Sequence, residues 1–392
     1  MNKKKFNILV APNSFKECAS SVEIAKLIDQ SLKMYIPETI KPIIELDLKP
    51  ISDGGDGFLP VCERIFNLEI LHFEIRFPYS EDLFFCPVAY SAEKKFIFIE
   101  SAEVLGLKLL PEDKRKPMMN TSKGMGDLLL QIYDAAVNGI MEIEHVFIGI
   151  GGTGTNDLGM GALEVFGLEI YDDKDNPLAV IPKNFKSVQK IIVPEIDCPF
   201  KITTIIDVRN PLVGSLGASI IFGQQKGASP DEVFELDESF KNILTQLELS
   251  QSEIKHLSGA GGGLSAALKL FFKAEEITAV DFLKDFVGIN FKETSYDLVI
   301  TGEGQLDAQS FLNKGAVILL NEATEHKIPT YFICGTSEGE LPKNEFLKVI
   351  ELAEYFDTVE ESIEKINKGI ELACKPIARA LLKTLAKQSE NN

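Results

Sequence analysis

NILVAPNSFKECASSVEIAKLIDQSLKMYIPETIKPIIELDLKPISDGGDGFLPVCERI, residues 7–65, is the stretch that decides the fold. Asn7 to Ala11 is a short apolar run that reads as a buried strand, and it stops at Pro12-Asn13-Ser14. Val22, Ile24, Ala25, Ile28 and Leu32 follow at helical spacing, with Ser20 or Ser21 placed to cap the helix by accepting one of its first N–H groups. Ile43 to Leu48 returns to a strand pattern, Asp53-Gly54-Gly55-Asp56-Gly57 breaks it, and a second helix runs through Val61 and Ile65. Strand, loop, helix, twice over, predicts a doubly wound α/β fold.

Working outward, the rhythm changes near Glu69. Ile70 to Phe77, Leu83 to Tyr90 and Lys95 to Glu100 read as three short antiparallel strands, hence a different domain or an inserted sheet. Beyond them come a helix at Gly126 to Ala136, a strand at His145 to Ile150, a helix from Gly159 to Val165, a strand at Ile202 to Asp207, a helix from about Gly217 and an apolar helix at Gly262 to Phe272. Leu298 to Thr301, Thr330 to Cys334 and Lys348 to Leu352 restore the first rhythm. The expected architecture is α/β with two domains. One is a parallel-sheet domain built from both chain ends, residues 1–70 and 290–392, and the other an inserted mixed α/β domain, residues 71–289. Residues 121–152 fit either.

A chain of 392 residues exceeds the ~250–300 at which single cores stop growing, which agrees with two domains. The net charge of −19 argues against nucleic acid or an anionic membrane as partner, because both would be repelled by the mean field of the surface. None of the six Cys forms a CxxC pair and the four His are far apart, so a closed zinc or iron–sulfur site is not expected. Scattered thiols of this kind, a basic start followed by too short an apolar run for a signal peptide, and no span of ~18 apolar residues predict a cytoplasmic chain. Monomer and homodimer both remain open.

Four glycine-rich loops stand out: Asp53 to Gly57, Gly149 to Asp157, Gly259 to Gly263 and Thr301 to Gly304. Three follow predicted strands and three precede predicted helices, the places where backbone N–H groups can approach a phosphate. The alternative is ordinary turn chemistry. The Walker pattern and the protein-kinase set are both absent, and Gly149 to Gly154 matches a nicotinamide fingerprint only loosely. Asp53, Asp56, Asp157, Asp207, Glu303 and Asp307 lie in or beside these loops. Phosphoryl transfer needs such carboxylates to hold Mg²⁺ and to take a hydroxyl proton, while the alternative for Asp53 and Asp157 is a helix cap. Lys16, Lys226 and Lys314 could offset developing charge, or could be solvated surface residues.

Taken in order, the blocks resemble the bacterial glycerate kinase family over nearly the whole chain. They are Ala11 to Lys16, Pro50 to Gly57, Gly149 to Asp157, Asp207 to Gly214, Phe222 to Ala228, Gly259 to Leu264 and Thr301 to Asp307. The resemblance implies a discontinuous Rossmann-like domain, an active site in the cleft between two domains, ATP with Mg²⁺ as donor and D-glycerate as acceptor. The product would be 2-phosphoglycerate, or 3-phosphoglycerate as in some relatives. The candidate site read from these blocks has Lys16, Asp53, Asp157 and Asp207 as catalytic groups, with Asp53 or Asp157 taking the hydroxyl proton. Ser14, Gly54, Gly55, Gly151, Gly152, Asn156, Lys226, Gly262, Gly263, Glu303 and Asp307 would bind nucleotide or substrate, and Asp207 and Glu303 the metal. Departures include Asn13 where the family usually has Asp, Asp56 where it has Glu, Arg209 where Asp is common and Asn313 where Gly precedes the lysine. These motivate two alternatives, a kinase for a related small hydroxy acid and a non-catalytic sensor that kept the loops. An oxidoreductase on the Rossmann-like half is a third.

Overall fold

The computed structural model describes residues 5–15, 18–52, 54–55, 57–66, 68–206, 210–306, 315–339 and 344–390. The strand Phe6–Pro12 lies between the central strand and one edge of a five-stranded, all-parallel sheet in the order Leu347–Glu351, Thr330–Ser337, Leu298–Leu306, Phe6–Pro12, Ile44–Leu48. Ile8 faces Leu298 and Val10 faces Ile300 in register, all four buried, as continuous apolar strands covered on both faces require. Helix Ser21–Tyr35 starts with a complete capping box, Ser20 accepting from the Glu23 amide and the Glu23 carboxylate accepting from the Ser20 amide. Its apolar stripe of Ile24, Ile28 and Leu32 shares one core with Ile370, Cys374 and Ile377 of the long helix Ile366–Glu390.

A second, six-stranded sheet runs Glu275–Thr278, Lys201–Ile206, His145–Ile150, Phe96–Glu100, Leu83–Ser91, Glu69–Arg76. Its first four strands are parallel. The last two add antiparallel, so the three strands read as a separate sheet are one wing of this mixed sheet. Phe98 stacks on Phe147 with ring centroids 5.1 Å apart, and this cross-strand contact helps lock the register that sets Glu100 opposite Gly149. A small antiparallel sheet of Pro177–Leu178, Glu169–Tyr171 and Lys190–Ile192 flanks it. Helix Pro230–Gln246, absent from the sequence reading although Val233, Leu236, Phe240, Ile243 and Leu244 stand at helical spacing, opens with a Ser229–Glu232 capping box and a proline in its first turn.

Two compact units result, Met1–Asp53 with Ala279–Asn392 (the terminal unit) and Gly54–Thr278 (the inner unit). Helix Phe58–Phe66 therefore lies on the inner side of the join, where Phe58 and Phe66 pack on Phe98 at centroid separations of 6.4 and 5.0 Å. Helix Ala279–Asp285 lies in the terminal unit, where Lys284 pairs with Glu322. Residues 121–152 belong to the inner unit. Among the described residues, no helix is long and apolar enough to cross a membrane.

Candidate active site

In the inner unit three of the glycine-rich loops meet at the carboxyl ends of the parallel strands, the edge where open α/β sheets bind ligands. Gly54 lies against the last turn of strand Lys201–Ile206, so close that a Cβ on it would sit 2.8 Å from the Ile205 carbonyl oxygen. A Cβ on Gly151, just past strand His145–Ile150, would sit 2.5 Å from the Gly55 Cα. The first two loops thus touch backbone to backbone. The third, Gly259 to Gly263, leans on the second, with Leu158 N donating to the Gly262 carbonyl at 3.0 Å. Gly261, Gly262 and Gly263 have φ of +66°, +68° and +90°, three successive left-handed residues that only glycine adopts without strain.

Side chains wire these loops from beneath. Asp157 is fully buried; its Oδ2 accepts from Ser122 N at 2.7 Å, Ser122 Oγ at 2.8 Å and Gly161 N at 3.1 Å, and its Oδ1 from Gly159 N at 3.1 Å. Burial raises its carboxyl pKa, opposed by those hydrogen bonds. Glu100, also buried, accepts from Gly57 N at 3.1 Å and Leu59 N at 3.0 Å, so the first turn of helix Phe58–Phe66 already faces one of the protein's own carboxylates. Lys226 closes the 3₁₀ turn Gln224–Lys226 and is buried. Its Nζ donates to the Thr155 carbonyl at 2.6 Å and to Thr153 Oγ1 at 3.2 Å. Burial pulls its pKa down to about 8, with Asp157 acting the other way.

Of the amides expected to face an anion, that of Gly151 donates to Ser101 Oγ at 3.0 Å and that of Gly263 to the Gly259 carbonyl at 3.3 Å. Asn156 is buried with Nδ2 on Ser219 Oγ at 2.9 Å. Its Oδ1, like Thr155 Oγ1, is buried without a hydrogen-bond partner among the described residues. Donor-capable Thr155 and acceptor-capable Asn156, set beside glycine-only backbone, suit a ligand that carries both phosphate oxygens and hydroxyl groups.

In the terminal unit, Asn13 N donates to the Gly302 carbonyl at 2.8 Å, so Ser14 lies just past strand Phe6–Pro12 and Glu303 follows Gly302 within the neighbouring parallel strand Leu298–Leu306. Thr301 Oγ1 reinforces the pair by donating to the Ala11 carbonyl at 2.8 Å. Lys16, Asp53, Asp56, Asp207, Asp307 and Lys314 lie outside the described residues. Among the described residues no three His, Cys, Asp or Glu gather in a metal-holding group. Glu100, Ser101 and Ser122 have no role in the sequence reading, because each acts across 35 or more residues, as the pairs Glu100–Leu59, Ser101–Gly151 and Ser122–Asp157 show.

Against known proteins, residues 8–382 match the glycerate kinase family. This chain belongs to the glycerate kinase family. A glycerate kinase from Bacillus cereus (strain ATCC 10987 / NRS 248) is 30% identical over 95% of this chain and 97% of its own length. The glycerate 2-kinase of Escherichia coli K12 is 32% identical over 84% of this chain and 85% of its own. A glycerate kinase 2 structure from Salmonella typhimurium LT2 superposes with a TM-score of 0.77 at 28% identity, covering 98% of this chain and 100% of that one. Family membership makes the chain a phosphotransferase with an alcohol group as acceptor. The converging loops of the inner unit fall inside the matched span.

Proposed function

We propose that this chain transfers the γ-phosphoryl group of ATP to a hydroxyl of D-glycerate, giving 2-phosphoglycerate, with 3-phosphoglycerate as the other isomer to be tested. The observation that carries the proposal is the meeting of three glycine-rich loops at the carboxyl ends of the inner parallel strands, in a chain of the family whose net charge is −19. A surface so acidic repels anions in general, so phosphate binding has to come from local backbone amides and a few lysines.

Gly152 and Gly262, with the Thr155 hydroxyl, are proposed to donate to phosphate oxygens, and Asn156 Oδ1 to accept from a ligand hydroxyl. Gly54, Gly55, Gly151 and Gly263 act by letting the loops approach one another. Asp157 is assigned to tying the Gly159–Gly161 turn to Ser122 and Lys226 to holding Thr153 and Thr155, since four hydrogen bonds fill the Asp157 carboxylate and two loop acceptors take the Lys226 amine. Acceptance of the hydroxyl proton is assigned to Asp53. Lys16 is assigned to the charge that develops on the transferred group, and Ser14 and Asp307 to nucleotide contacts. ATP supplies the phosphoryl group. Mg²⁺ would need only one or two carboxylates, its remaining positions going to water and phosphate, and Asp207 and Glu303 are proposed for that. Positioning and charge carry this reaction more than a strong base, because its transition state is loose.

The test is incubation with ATP, Mg²⁺ and D-glycerate, with the phosphoglycerate isomer identified by ³¹P NMR. Formation of 2-phosphoglycerate is expected. ADP release on none of a panel of hydroxy acids would overturn the reading. Lys16→Ala is expected to lower kcat more than removal of any single Asp, and near-normal turnover of that variant would remove Lys16 from its role.

A further inference from the structure

We infer that the adjacent residues Glu100 and Ser101 are a clamp that sets the spacing of the first two glycine-rich loops, and so are positioning residues for the reaction proposed above. They sit where strand Phe96–Glu100 ends and helix Ser101–Leu105 begins, and both are buried. One carboxylate oxygen of Glu100 takes the Gly57 amide and the other the Leu59 amide, at 3.1 and 3.0 Å. Ser101 Oγ brackets Gly151, accepting its N–H and donating to its carbonyl, both at 3.0 Å. One residue thus grips the Gly54–Gly57 segment and the next grips Gly151, while the glycines between them touch. Neither side chain points to a ligand role of its own. Misplacing reacting groups by about 1 Å can cost on the order of 100-fold in rate, so loop spacing is worth fixing from below.

The clamp is also titratable. Burial raises the Glu100 pKa to about 6, against the lowering by its two backbone hydrogen bonds. Glu103 and Lys108 are the charges near it, acting in opposite directions. The Cys62 and Cys86 thiols, pushed well up by burial, stay neutral across this range. Asp56, next to Gly57 in the chain, lies outside the described residues. Ionised Glu100 accepts both amides strongly. Protonation below about 6 turns one acceptor into a donor and loosens the Gly57 turn.

The positioning role rests on the kinase reading, so the test has two arms. In the first, hydrogen exchange is followed in wild type, Glu100→Gln and Ser101→Ala. Glu100→Gln should speed exchange at Gly57 and Leu59 about tenfold, and Ser101→Ala should do so at Gly151, roughly the loss of one hydrogen bond. Unchanged exchange in both variants would overturn the clamp whether or not the protein turns over glycerate. In the second arm, wild-type kcat/KM should fall as pH drops through about 6. Glu100→Gln, the analogue of the protonated acid, should be about tenfold slower at pH 8 and lack that acid limb, while Ser101→Ala is slower and keeps it. A Glu100→Gln enzyme with the wild-type rate and pH profile would overturn the positioning role. Absence of turnover in wild type would instead count against the kinase reading, leaving exchange to decide the clamp.

Discussion

The Gly149–Asp157 loop is held from beneath by several side chains, whereas its neighbour Gly259–Gly263 is shaped mostly by its glycines. Beneath the first, Asp157 joins Ser122, Gly159 and Gly161, Lys226 ties Thr153 to Thr155, and Ser101 brackets Gly151. In the second, Ser258 Oγ accepts from the Ala260 amide at 3.1 Å, but three left-handed glycines in a row set its course. A loop stapled by side chains can lose one staple and keep its course. A loop shaped by close backbone approach has nothing to give when a side chain intrudes. The first loop should therefore fail by degrees at its side-chain staples, Gly149 and Gly151 apart, and the second abruptly at its left-handed glycines.

The largest effect is expected at Gly262. A Cβ there would lie 2.4 Å from the Thr155 carbonyl oxygen and 2.8 Å from the Asn156 Cα, both backbone atoms, at a φ of +68°. Gly262→Ala should cost roughly 3 kcal/mol or more, left-handed strain plus overlap, with turnover lost in the folded fraction. Denaturant melts within about 0.5 kcal/mol of wild type would show that the loop is not backbone-limited, and the contrast would fail.

Asp157→Asn comes next. An amide can keep the Oδ2-side partners Ser122 and Gly161, but its NH₂ then faces the Gly159 N–H. A loss of about 2 kcal/mol is expected, with partial activity retained, since a buried donor is left facing another donor. Complete unfolding of this variant would mean that the first loop is no more tolerant than the second.

Lys226→Met sharpens the comparison with the smallest change at neutral pH, within about 1 kcal/mol, because losing two hydrogen bonds is offset by not burying an ammonium. The difference should grow with pH. Between about 8 in the folded state and the ordinary 10.5, the unfolded chain holds the proton that the folded chain has released. Wild-type stability therefore rises through that window relative to the variant, by roughly 3 kcal/mol at most. Parallel stability curves for the two proteins from pH 7.5 to 10.5 would rule out a depressed Lys226 pKa.

Much of this was legible along the chain. Apolar runs marked the strands Phe6–Pro12, His145–Ile150 and Lys201–Ile206 because each is buried on both faces, and Ser20 marked its helix because capping is local. The loops announced themselves as glycine clusters at strand ends. Helix Pro230–Gln246 went unread, although both the cap Ser229-Pro230-Asp231-Glu232 and the helical spacing of Val233, Leu236, Phe240, Ile243 and Leu244 signal it.

What local chemistry alone determined, then, is the set of elements and the presence of loops built from glycine, since propensity, capping and periodicity act within a few residues. Which side of the join helix Phe58–Phe66 takes, the parallel pairing of Phe96–Glu100 with His145–Ile150, and the grip of Glu100, Ser101 and Ser122 on loops far away in sequence were decided only on folding. Those contacts depend on register between distant strands. A hydrogen bond spanning 35 to 50 residues leaves no trace in the pattern around either partner.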